Sequence, residues 1–139
     1  MSRSEVRKIL GSYIISKRMI DKINLEIEEL ETNDIMKAAG FEEKTGVTNK
    51  IGKSIEEYLV TKEQKIKQLE YQKKIEDINC KKIENALGIL KDDEKRIIEL
   101  RYIKNPSTWS KIAQRVSLEM ITCQKIECKA IDKMICMLV

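Results

Sequence analysis

From Ile9 onward, apolar or small residues return in alternating steps of four and three: Ile9, Tyr13, Ser16, Ile20, Ile23, Ile27 and Leu30. Such alternation is a heptad seam along one face of a helix, which predicts a first long helix over Ser4–Glu31 with Ser4 as its N-cap. Ser16 is a small polar interruption that helps to set register at some cost in stability. The stripe needs a partner, either a helix of the same chain or a second copy. Between Thr32 and Lys53 the pattern lapses. Thr32-Asn33-Asp34 reads as a stop, and Gly40, Gly46 and Gly52 follow within thirteen residues. Ile35, Met36, Ala38, Ala39 and Phe41 suit a short helical turn inside a long connection.

A second long helix is expected from Ser54, where Glu57 completes a capping box, to Leu87, where Gly88 weakens its end. Ile55, Leu59, Lys62, Ile66 and Leu69 mark one stripe. Tyr71, Ile75, Ile78, Lys82, Ala86 and Ile89 or Leu90 mark another, rotated from the first. This predicts a phase shift near Leu69–Tyr71, with a change of packing partner there. The run Lys62-Glu63-Gln64-Lys65 reads as solvent-facing i,i+4 support.

Three short helical patterns close the chain. The first opens at Asp92 or Asp93, whose charge suits a helix N-terminus, and is stopped by Asn105-Pro106-Ser107. The second, capped by Ser107 or Thr108, places Trp109, Ile112, Ala113 and Val116 on one buried face. After a turn at Ser117-Leu118, the third starts near Glu119. Its inward residues are expected to be Met120, Cys123, Ile126 or Glu127, Ala130, Ile131, Met134 and Leu138.

Composition narrows the class. Charged residues make up 36% and aromatic ones 4%, which disfavours a β-sandwich, while 42% hydrophobic is too much for a disordered chain. Cys80, Cys123, Cys128 and Cys136 lack zinc-site spacing, and histidine is absent, so buried thiols without metal are expected. No apolar run approaches the roughly 20 residues of a membrane span, and no signal peptide opens the chain, so a soluble cytoplasmic protein without cofactor is expected. Lacking histidine, a Gly-rich phosphate loop and clustered carboxylates, the chain is read as a non-enzyme. Residues 91–139 hold ten basic against seven acidic residues, so they carry +3 of the net +4. Three of those acids are Asp92-Asp93-Glu94 at a helix start. Beyond them the balance suits a polyanion, although a solvated helix face can look the same.

The stretch Leu90–Met134 resembles region 4 of bacterial sigma factors and the sigma-like helix-turn-helix of phage regulators. The resemblance rests on Asp93-Glu94, Leu100-Arg101-Tyr102, Ile112-Ala113, Thr122 and Ala130. The whole layout is similar to ArpU/RinA-type phage regulators of late-gene transcription. Two residues depart from that pattern. Ser117 stands where a turn glycine is usual, and Trp109 where tyrosine is common.

The resemblance implies an all-α protein: a long-helix hairpin or coiled-coil region over 1–87, with a loop at 32–53, and a DNA-binding unit over 88–139. It implies double-stranded DNA as partner, with RNA polymerase as a further one, while the heptad stripe Ile9–Leu30 suggests either a hairpin with Ser54–Leu69 or a homodimer through the N-terminal helices. If the third helix enters the major groove, Glu119, Ile121, Thr122, Gln124 and Lys125 meet the bases. Glutamine suits adenine, threonine and isoleucine a thymine methyl, and lysine guanine or phosphate. Ser110, Lys111, Arg115 and Lys129 are placed for phosphates. Arg101 is expected to serve packing, and Trp109 to be core. Two other readings stay open: a small terminase subunit, which joins a helix-turn-helix to oligomerising helices, and a helical interaction module that binds polymerase without touching DNA.

Overall fold

In a computed structural model the chain is all-helical: α1 (Arg3–Ala38), α2 (Ile51–Leu87), α3 (Asp92–Ile98), a π-helical segment (Glu99–Ile103), α4 (Trp109–Val116) and α5 (Met120–Leu138). The structure describes the backbone of residues 1–38 and 51–139, and the side chains of 1–33 and 57–139. Among the described residues no helix is long and apolar enough to cross a membrane. Two compact units are present, one of residues 1–18 with 76–139 and the other of residues 19–75. By packing, residue 87 lies inside the first unit rather than at an edge.

α1 is longer than its heptad stripe predicts. Its cap is Ser2, not Ser4: Glu5 N–H donates to Ser2 Oγ at 3.2 Å, and Ser2 N–H donates to Glu5 Oε2 at 3.1 Å. That reciprocal pair is a capping box, two residues ahead of the expected cap. Nor does Thr32 stop the helix. Its hydroxyl donates to the Glu28 carbonyl at 2.8 Å, so the side chain bonds back along the helix and the backbone runs on to Ala38. Ile35, Met36 and Ala38 therefore belong to α1, whereas Ala39, Phe41, Gly40 and Gly46 lie outside the described residues. At the other side of that gap α2 already starts at Ile51, which leaves Ser54 inside the helix rather than at its cap.

The stripe on α1 is inward as expected: Ser16 and Ile23 are buried, and Ile9, Tyr13, Ile20, Ile27 and Leu30 are half-buried. Val6 and Leu10, ahead of and beside that stripe, are fully buried as well. The expected phase shift of α2 is absent. Among its buried and half-buried positions, Tyr58, Lys62, Ile66, Leu69, Lys73, Glu76, Cys80, Ile83 and Leu87 follow unbroken steps of four and three, with Asp77 and Ala86 beside them. The seam passes through Lys73 and Glu76, which are half-buried although charged, so a count of apolar residues misses it. Tyr71, Ile75 and Ile78, on another face of α2, are exposed.

In the second unit Ile23 and Leu69 are the buried side chains among the described residues. The first unit has two packed clusters. One joins Val6 and Leu10 of α1 and Ile83, Ala86 and Leu87 of α2 to Leu90, Ile98 and Ala130, Ile131 and Met134 of α5. The other, smaller, joins Ile97, Ile112 and Cys123, with Leu100, Trp109, Ala113, Val116 and Ile126 around them. Trp109 thus serves the core, as expected. Met120 does not: it is 44% exposed, because Cys123 and not the first residue of α5 makes the first inward contact. Of the thiols only Cys80 and Cys123 are buried, while Cys128 is half-buried and Cys136 exposed.

Candidate nucleic-acid interface

α3 starts where the Glu94 carboxylate accepts from Lys91 N–H at 3.2 Å. It continues into the π-helical segment, closed by Lys104 N–H donating to the Glu99 carbonyl five residues back at 2.8 Å. From within that segment, Arg101 secures the Pro106 turn. Its guanidinium lies 4.7 Å from the centre of the Trp109 ring and donates to the Ser107 carbonyl at 2.9 Å. Thr108 caps α4, its hydroxyl accepting from Lys111 N–H at 3.4 Å.

The corner between α4 and α5 is tight. Ser117 has φ 58° and ψ 40°, and it is the one non-glycine residue at positive φ among those described. Leu118 N–H donates across the turn to the Ala113 carbonyl at 3.2 Å, closing α4 in the manner of a Schellman motif. Serine thus adopts the left-handed conformation in which glycine is unstrained. Arg96 adds a bond from α3 to the Arg115 carbonyl at 3.4 Å, and α3, α4 and α5 pack through the smaller cluster.

On α5, Ile121, Lys125 and Lys129 recur in steps of four on one outward face, and Gln124 lies beside them. All four are exposed, Ile121 by 63%. Thr122 is half-buried, turned toward the side that carries Ile126. Ser110, Lys111 and Arg115 of α4 are exposed as well, as is Glu119 at the start of α5.

Ion pairing makes this surface more cationic than the sequence count suggests. Lys133 Nζ lies 2.7 Å from the buried Glu94 carboxylate. Arg7 donates twice to Oε1 of the buried Glu127, at 2.8 and 3.0 Å, and the Tyr102 hydroxyl donates to Oε2 at 3.2 Å. Burial, and then the neighbouring Glu127 carboxylate, push the Tyr102 phenol above its ordinary pKa. Arg3 grips Asp132 with two bonds, at 2.7 and 2.8 Å, and its hydrogen bonding holds that carboxyl below the ordinary range. Lys104 pairs with Glu99 at 3.5 Å. Among the described residues Lys111, Arg115, Lys125 and Lys129 have no ion-pair partner.

Local patterning offers no signal for Arg3 and Arg7. Their partners stand 129 and 120 residues away, so only tertiary packing reveals that the acids of α5 are neutralised from α1. Among the described residues no group of three Cys, Asp or Glu side chains converges as metal ligands would. No family model matches the chain, and no curated protein or solved structure matches it either.

Proposed function

We propose that this protein is a sequence-specific regulator of transcription that binds double-stranded DNA, laying the start of α5 in the major groove. The observation that carries the reading is the outward stripe Ile121, Gln124, Lys125 and Lys129, projecting from a tight α4–α5 corner. A helix held by a second helix across a short turn is the geometry of helix-turn-helix readers. The unpaired cations Lys111, Arg115, Lys125 and Lys129 supply phosphate contacts. With the likeness of Leu90–Met134 to sigma region 4, the reading extends to a phage or prophage activator of late genes that also contacts RNA polymerase in the bacterial cytoplasm.

It is a binding protein and not a catalyst. Two copies on a two-fold symmetric site would pair through their N-terminal helices. A native mass of one or two chains fits this reading, whereas a ring of many copies favours the terminase alternative.

Fluorescence polarisation against a random duplex pool tests the proposal. Binding should weaken steeply with added salt, and Gln124→Ala/Lys125→Ala should weaken it about tenfold or more, as the loss of one bidentate base contact and one charge implies. Absence of affinity for any duplex at low salt overturns the reading. Polymerase capture that survives the double substitution, with no DNA binding by the parent, assigns the chain instead to protein contacts alone.

A further inference from the structure

Three apolar side chains stand in solvent around the first turn of α5: Leu118 is 40% exposed, Met120 44% and Ile121 63%. Leu118 has a local occupation, lining a recess with Asp92, Asp93, Arg96, Ile97 and Val116. Ile121 has none. The inward side of α5 is already filled by Cys123, Ala130, Ile131 and Met134, so Ile121 adds nothing to the fold. It lies on the face that carries Gln124 and Lys125.

The surroundings decide what could cover it. Lys111, Arg115, Lys125 and Lys129 have no ion-pair partner among the described residues. An apolar protein face laid on Ile121 would bury unpaired charge along with it, which is costly. Duplex DNA meets both demands. Its phosphates answer the cations, and its major groove offers one exposed apolar group, the C5-methyl of thymine. RNA supplies the phosphates but not the apolar group, since uracil lacks the methyl and the A-form major groove is too deep and narrow for a helix.

We infer that Ile121 is a specificity-determining residue that selects thymine in the major groove, by packing against its C5-methyl. The inference rests on the DNA-binding reading above. Lys125 and Lys129 set register on the backbone, and Ile121 then distinguishes a thymine from the other bases without a hydrogen bond.

Deoxyuridine pairs as thymine does and lacks only the methyl. In the best duplex recovered from a random pool, thymines are replaced by deoxyuridine one at a time and each affinity is measured. Replacement at one or two positions should weaken binding about fourfold, the change expected when one methyl is lost from an apolar contact. In Ile121→Ala the same replacements should have no effect, while Ile121→Val should keep most of it. Lys129→Ala should weaken all duplexes alike and leave the thymine-to-deoxyuridine ratio unchanged. A parent protein that binds duplex but ignores every deoxyuridine overturns this inference and leaves the DNA reading standing. So does a methyl effect that persists in Ile121→Ala. An affinity unchanged by Ile121→Ala overturns it as well, and failure of every duplex to bind overturns both readings together.

Discussion

Ser117 turns the chain between α4 and α5 at φ 58°, where a residue with a Cβ costs about 1–2 kcal/mol relative to the right-handed region. Glycine would remove that strain and recover part of it as stability, because its freer unfolded chain offsets the rest. Ser117→Gly should therefore stabilise the protein by up to about 1 kcal/mol, read as a higher urea midpoint, with the α4–α5 corner unchanged. A drop in stability would show that the serine side chain contributes something the turn geometry does not. A second residue-scale effect concerns acid. Glu84 titrates below the ordinary carboxylate range, chiefly because the Tyr13 hydroxyl donates to it at 2.7 Å, with Lys17 3.4 Å away. An acid whose folded pKa lies below its unfolded value stabilises the fold above that unfolded value, about 4.3, and the contribution is lost as pH falls through the folded one. Asp132 follows the same sign through Arg3. Tyr13→Phe should raise the Glu84 midpoint in a carboxyl-resolved NMR titration and flatten the fall of stability below about pH 5. An unmoved midpoint would show that Lys17 alone sets it.

At the scale of the element, α2 separates two apolar faces that a sequence pattern runs together. Cys80, Ile83 and Leu87 lie on the buried seam, whereas Ile78 is 43% exposed although it is as hydrophobic as any of them. Burial and not residue type decides the cost of truncation. Ile83→Ala should cost about 2–5 kcal/mol through lost contacts and a cavity. Ile78→Ala should stay within about 0.5 kcal/mol, as surface changes do. Denaturant titration of the two variants checks this, and equal losses would mean that the inward face has been misassigned. The helix ends follow the same logic. Ser2 and Glu5 satisfy each other's backbone groups at the start of α1, and Thr32 reaches back to Glu28 and lets the helix pass a triplet that looks like a stop.

At the scale of the molecule, the unit that carries the candidate interface is assembled from both ends of the chain. Val6 and Leu10 pack with Ile83, Ala86 and Leu87 against Ile98, Ala130, Ile131 and Met134. Arg3 and Arg7 pair with Asp132 and Glu127 of α5. A fragment of residues 88–139 would expose the inner face of α5, with Ala130, Ile131 and Met134, to water and lose the Arg7–Glu127 pair. Such a fragment should lack a cooperative thermal transition by circular dichroism, while the full chain melts as a folded protein. A fragment that melts cooperatively would show that α3 to α5 suffice.

Much of this was legible from residues alone. The 4–3 spacing of Ile20, Ile23, Ile27 and Leu30, the break at Pro106, the Thr108 cap and the inward set Cys123, Ala130, Ile131 and Met134 all follow from local geometry, because helical periodicity and capping act over a few residues. Sequence by itself therefore determined an all-helical chain, and it singled out the α4–α5 corner with the outward residues Gln124 and Lys125. Tertiary structure alone decided the rest. That Ser117 takes the left-handed turn, that the α2 seam runs unbroken through Lys73 and Glu76, and that Arg3 and Arg7 neutralise α5 are choices no short window contains. Each depends on which atoms meet across the fold. A strained torsion, a half-buried lysine and a distant arginine are tolerated or needed only because the packed surroundings make them so.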